Sequence, residues 1–135
     1  MTPTQAAQRW AETWKSAWES LDIEGIVALY APDAVMSTEP FGEPYQGGDG
    51  VRSYLSRVFG EEEDPRVHVG SPIVSGDRAA VSWWASLREE GVDTTLAGTS
   101  VLRFDSEGLV VEQWDAWNRV SGRRDPPGWS PFPVR

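Results

Sequence analysis

The fold class this sequence predicts is α+β: three N-terminal helices packed on the concave face of a strongly curved, mostly antiparallel sheet, with an internal cavity. Three observations predict it. Apolar residues recur at helical spacing up to Gly60 and at every second position after Pro65. The helical runs precede the strand runs instead of alternating with them, which separates α+β from α/β. Eight Trp among 135 residues, with no Cys, describe a chain long enough to bury a core without disulfides and richer in indoles than such a core needs.

The first helix is expected over residues 4–20, capped by Thr4, with Trp10, Trp14, Ala17, Trp18 and Leu21 as its apolar stripe. Asp22 caps a second helix over residues 23–30, broken by Pro32 and Asp33. Residues 34–38 read as a short strand, after which Pro40 and Pro44 forbid regular pairing. Gly47, Gly48 and Asp49 introduce a third helix, buried through Val51, Tyr54, Leu55 and Val58 and stopped at Gly60. The acidic run 61–64 reads as a solvated loop. Strands are then expected over residues 66–74, 78–88, 94–104 and 109–119, joined by tight turns rich in Gly, Asp and Glu. Residues 1–121 thus make one cavity-forming domain. Residues 122–135 make a Pro/Gly-rich tail in which Trp129 and Phe132 are expected to pack.

Composition narrows the function. The net charge is −9, from 12 Lys and Arg against 21 Asp and Glu, which disfavours nucleic acid and anionic membranes as partners. With no Cys and a single His, His68, no metal and no cofactor are expected. The first residues show no basic segment leading into an apolar one, and no apolar run approaches a membrane span, so the expected location is the cytoplasm.

Strand alternation identifies the cavity lining. Val81, Trp83, Ala85 and Leu87 share one face; so do Leu96, Gly98, Ser100 and Leu102, and so do Val111, Gln113, Asp115 and Trp117. Asp115 is the leading candidate: a carboxylate among Trp14, Trp83 and Trp117 is desolvated, which raises its pKa toward the range useful for proton transfer. The competing reading pairs it with Arg119 or Arg103, or leaves it at the cavity mouth. Glu39 is a second candidate, aimed inward by the bend at Pro40, or else a solvated loop carboxylate beside Glu43. Trp14, Trp83 and Trp117 offer flat surfaces for an aromatic ligand, with Trp10 and Trp18 as core. His68 reads as a satisfied or interfacial histidine, and Asp105 of Arg103-Phe104-Asp105 as a turn former. Trp84 and Trp114 fall on the opposite sheet face, which predicts a homodimer through that face.

The run from Asp22 through Tyr30-Ala31-Pro32-Asp33-Ala34-Val35 resembles the second helix and first strand of the nuclear transport factor 2-like superfamily. Residues 102–117, ending in Glu112-Gln113-Trp114-Asp115-Ala116-Trp117, resemble its last two strands. Within it, the chain is similar to SnoaL-like polyketide cyclases and ketosteroid isomerases over about residues 4–120. The resemblance implies a cone-shaped cavity domain, on a scaffold that hosts isomerases, cyclases, dehydratases, hydrolases and plain binding domains. Residue by residue, the isomerases' base, just before a Pro after the first strand, matches Glu39. Their oxyanion-binding tyrosine aligns with Trp14 and their protonated aspartate with Ser100, a departure that argues against steroid isomerisation. The Trp-Asp pair of the SnoaL-like cyclases matches Trp114-Asp115, which implies that Asp115 is an acid/base in metal-free ring closure. Epoxide hydrolases of the superfamily share the Arg-x-Asp spacing of Arg103 and Asp105.

Three functions therefore compete. One is a cofactor-free isomerase, cyclase or hydrolase acting on an apolar carbonyl compound, with Asp115 moving the proton and Gln113, Ser100 and indole N–H groups stabilising the oxyanion. The others are a non-catalytic binding domain for an aromatic or polycyclic molecule, and an assembly module. Whether chemistry follows binding stays open at this point.

Overall fold

The first helix begins earlier than Thr4 would place it, because a better cap lies upstream. In the computed structural model, which describes residues 1–132, α1 (Pro3–Glu19) is capped by Thr2. Its side chain accepts from the Gln5 amide at 3.1 Å while Gln5 Oε1 accepts from the Thr2 amide at 2.9 Å. This reciprocal box, with Pro3 in the first turn, satisfies amides that have no intrahelical partner. Asp22 caps α2 (Ile23–Val27) as expected, but the helix is shorter. Val110 donates its amide to Leu29 at 2.9 Å, and Tyr30 already belongs to β1 (Tyr30–Ser37). Pairing with the last strand overrides the local helical pattern. Pro32 is tolerated inside β1 because the register between Tyr30 and Val35 is irregular there.

A two-residue strand, β2 (Tyr45–Gln46), precedes α3 (Gly47–Gly60). Then come β3 (Glu62–Val69), β4 (Ile73–Ser75), β5 (Arg78–Glu89), β6 (Val92–Phe104) and β7 (Val110–Ser121). The expected strand 66–74 is thus two strands separated around Pro72, both antiparallel to β5. The acidic run expected as a loop starts β3 instead. The β5–β6 hairpin turns through Glu90 at φ 49° and Gly91 at φ 82°, the two left-handed positions of a type I′ turn.

The sheet order is β2-β1-β7-β6-β5-β3, with β4 on β5, and only the β1–β7 pair is parallel. The sheet does not close. Helix α1 packs on β3 and β5, and α3 on β1. Ile26, Met36, Val51, Leu55, Val81, Leu87 and Leu102 are completely or almost completely buried between the two layers. Each such side chain contributes about 1.5–3 kcal/mol of burial.

On the other sheet face, the tail follows the strands. Trp84 donates to the Arg124 carbonyl at 2.7 Å and Thr95 Oγ1 to that of Gly122 at 2.7 Å, while Phe132 packs edge-on against Trp84. Trp129, expected to pack, is 87% exposed instead. Residues 133–135 of the expected tail lie outside the described residues. No described helix is long and apolar enough to cross a membrane.

Candidate functional site

Period-two alternation delivers the inward face as expected. Trp83 of β5 lies across from Gly98 of β6, and Gly98 across from Trp117 of β7. A Cβ on Gly98 would collide with the Ala116 carbonyl and with Trp117 Cβ, so only glycine lets β6 approach β7 here. On β7 one place departs from simple alternation. The register shifts between Arg103 and Phe104, and Val110, 1% exposed, takes the inward position expected of Val111.

These faces and the helices enclose a cavity of about 160 Å³. Asp115, Gln113 and Ser100 lie on its sheet side, 8%, 4% and 2% exposed. Trp10, Trp14, Trp18 and Trp83 form a continuous wall, with successive ring centroids 5.7, 5.9 and 5.8 Å apart. Trp10 and Trp18 are therefore both core and lining.

Hydrogen bonding in this wall has a fixed direction, because an indole N–H can only donate. Trp10 and Trp14 donate to the Tyr30 hydroxyl at 3.4 and 3.2 Å. Tyr30 then donates to Gln113 Oε1, which turns the Gln113 amide toward Asp115 Oδ1 at 3.0 Å. From the other side Trp83 donates to Ser100 at 3.1 Å, and Ser100 to the same Oδ1 at 2.6 Å. Both chains end on one oxygen. Asp115 Oδ2 accepts from no described residue. Burial pushes the Asp115 pKa up to about 6, against the opposing pull of the Ser100 and Gln113 donors.

Neither arginine considered as a partner reaches Asp115: Arg119 pairs with Glu89 and Arg103 with Glu112. Of the groups expected to meet an oxyanion, Ser100, one Gln113 N–H and the indole N–H groups already have acceptors, Trp117 donating to the Thr38 carbonyl at 2.7 Å. Glu39 lines the cavity but is exposed, apart from the Asp115 network. His68 lies opposite Trp84 on the outer face. Asp105 is the turn former expected, its carboxylate accepting from the Glu107 and Leu109 amides at 2.9 and 3.0 Å.

Two lining residues escaped the sequence reading. For Tyr54 the sequence pattern predicts only a place in the buried stripe of α3. Its ring packs on Tyr45 at 5.0 Å and under the Arg57 guanidinium at 5.7 Å, and its hydroxyl makes no hydrogen bond among the described residues. Burial, with the nearby Asp115 and Glu62 charges, holds the phenol well above its ordinary pKa, so it stays a donor. A phenol within an apolar stripe was the available signal.

The other is Glu62. Alternation counted back from Val67 would turn Glu63 inward. Between Glu63 and Arg66, however, the ladder to β5 carries one extra residue, and Asp64 takes φ 50°. This bulge turns Glu62 inward, opposite Glu89. Trp18 donates to Glu62 Oε1 at 2.7 Å. Burial pushes its pKa up to about 7, opposed by that donor.

Among the described residues, no three His, Cys, Asp or Glu side chains gather as a metal-ligating group. A family model described as a SnoaL-like domain matches residues 7–113. No curated protein matches significantly. Among solved structures, a Catenulispora acidiphila hypothetical protein with a ketosteroid isomerase-like fold, in complex with trimethylamine, superposes with a TM-score of 0.69. It is 17% identical, over 78% of this chain and 82% of its own. RV0760c from Mycobacterium tuberculosis gives 0.72 at 18% identity, over 90% and 98%.

Proposed function

Because the chain belongs to the SnoaL-like domain family, we propose that its cavity binds a small, largely apolar carbonyl compound and that Asp115 acts on it as a cofactor-free general acid/base. One observation carries the reading: Asp115 is buried, its Oδ1 saturated by two donors and its Oδ2 left to the cavity. A carboxylate with a pKa near 6 takes a proton well at neutral pH. Oδ2 removes a proton from the carbon beside the carbonyl, the C–H electron pair moving into the carbonyl to form an enolate. Where a C=C lies beyond that carbon the product is a dienolate, and returning the proton to its far end completes an isomerisation; where the enolate attacks a second carbonyl a ring closes, and Asp115 returns its proton to the new alkoxide. The Tyr54 hydroxyl meets the developing oxygen charge, since the indole and Ser100 donors are engaged. Trp14, Trp83 and Trp117 hold the apolar body, and Glu39 stands where a ligand enters. The trimethylamine complex of the Catenulispora protein supports a small-molecule role for the scaffold.

The test is deuterium exchange. Cyclic and aromatic ketones incubated with the protein in D₂O should lose the NMR signals of their α-protons, and Asp115→Asn should slow that loss by about 10²–10⁴-fold. Exchange that survives the substitution unchanged excludes Asp115 as the base. The engaged indole donors favour a second reading, a binding domain without turnover. Ketones that bind equally well to both proteins without exchange would support it.

We also propose a homodimer through the outer sheet face. Ile73, Val101 and Trp114, 75%, 40% and 48% exposed, lie in register across it, beside Trp84 under its own tail. Sedimentation checks this: a purely monomeric species at micromolar concentration overturns it.

A further inference from the structure

The hydrogen-bonding inventory of the cavity restricts what it can hold. All five of its indole N–H groups donate into the wall, and Ser100 and Gln113 donate to Asp115. The two guanidinium groups at its edge are held by other partners, Arg119 by Glu89 and Arg57 by Tyr45. The Tyr54 hydroxyl and the second amide N–H of Gln113 remain as neutral donors, and two carboxylates without a salt-bridge partner among the described residues remain as acceptors. Asp115, more than nine-tenths buried, presents the unpartnered Oδ2. Glu62 presents Oε2, since its single hydrogen bond is from Trp18 to Oε1.

The two acceptors differ in their surroundings. Glu62 faces Glu89 directly across the β3–β5 ladder, an arrangement that like charges oppose. Arg119 neutralises Glu89, and Glu62 has no salt-bridge partner among the described residues. Beside Glu62 stand Trp18 and its edge-on neighbour Trp83, whose rings line the same space. A carboxylate with no cation in salt-bridge contact, Arg119 being held by Glu89, and set among indoles with no donor to spare, suits an alkylated nitrogen cation: the carboxylate meets the charge and the rings attract it through their π-faces.

We infer that the cavity takes a ligand bearing an organic ammonium group, which meets Glu62 beside Trp18 and Trp83 while the apolar remainder extends toward Asp115. This rests on the reading of the cavity as a ligand site and adds the ligand's charge to it.

Choline and its neutral carbon isostere, 3,3-dimethylbutan-1-ol, separate the two ideas when titrated calorimetrically into the intact protein. Choline should bind at least tenfold more tightly, and Glu62→Gln, which keeps an acceptor for Trp18, should erase the difference. Glu89→Gln serves as a second variant: it frees Arg119 to pair with Glu62 and should also weaken choline binding. Choline affinity should rise with pH through about 7, because Glu62 must ionise to meet a charge that does not itself titrate. The charged and titratable groups that share the cavity with Glu62 are Glu39 after β1, Tyr54 and Arg57 of α3, Glu61 just after it, Glu89 of β5, and Asp115 and Arg119 of β7. Equal binding of both probes overturns the ammonium inference and leaves the apolar-ligand reading standing. A preference that survives Glu62→Gln and disappears in Asp115→Asn overturns the role of Glu62. Failure of both probes to bind sinks the inference together with the ligand site.

Discussion

Asp115 and Glu62 are two carboxylates of one cavity, brought there by different devices. Asp115 follows from unbroken alternation on β7, with Gln113 and Trp117 on the same face. Two directional chains of donors end on its Oδ1. Glu62 depends on a bulge that re-aims β3, and it has one donor and a like-charged neighbour across the ladder. On the regular strand one carboxylate oxygen is held by two donors and the other is left free, whereas at the irregularity the carboxylate has a single donor and no salt-bridge partner among the described residues. That contrast teaches where each kind of work belongs: a held, poised acid/base at one position and an acceptor for an arriving group at the other.

Four measurements probe the difference between the two carboxylates. The largest effect concerns pH. Asp115 has a folded pKa of about 6 against an ordinary 3.8. Its contribution to stability is therefore full below about pH 4 and lost as pH rises through 6, a loss of about 3 kcal/mol at neutral pH and above. Asp115→Asn should remove that loss, seen as a flatter pH dependence in urea unfolding. Glu62→Gln should act in the same direction and up to pH 7, with a smaller amplitude because Glu62 is partly solvated. Second, Gln113→Leu strips Tyr30 of its acceptor and Asp115 of a donor. It should cost about 1–3 kcal/mol and push the Asp115 pKa higher in a ¹³C carboxyl titration. An unchanged titration would show that the chain does not hold Asp115.

Third, Trp18→Phe removes the one N–H on Glu62. It should raise the Glu62 pKa, leave that of Asp115 in place, and cost about 1 kcal/mol. Movement of both carboxyl resonances would mean that the two positions are not independent. The smallest effect is at the bulge. Asp64→Gly relieves a left-handed backbone at φ 50° and should gain less than about 1 kcal/mol, with the Glu62 titration preserved. A shifted Glu62 titration would show that the Asp64 side chain, and not the bulge geometry, places Glu62.

What the sequence revealed follows the same division. Periodicity separated Trp83 from Trp84 and placed Ser100, Gln113, Asp115 and Trp117 on one face, because side-chain direction along a strand is a local property. It could not place Glu62. The extra residue between Glu63 and Arg66 is absorbed only when β3 docks on β5, and an acidic run before Pro65 looks like any solvated loop. Nor could it place Tyr30, whose helical neighbours promised a longer α2; pairing of Leu29 with Val110 decided the matter from elsewhere in the chain. The hydroxyl of Tyr54 was hidden by its company, since an apolar stripe says that a phenol is inward and not what its oxygen meets.

The row of Trp10, Trp14, Trp18 and Trp83, with centroids less than 6 Å apart, has an optical consequence. At that spacing the indole transitions couple as one exciton system, and absorbed light migrates among the rings before it is emitted. A molecule that quenches any member quenches the emission of the group, and one that tilts a single ring changes the sign pattern of the near-ultraviolet circular dichroism. The protein thus carries a built-in reporter of occupancy, readable without a dye.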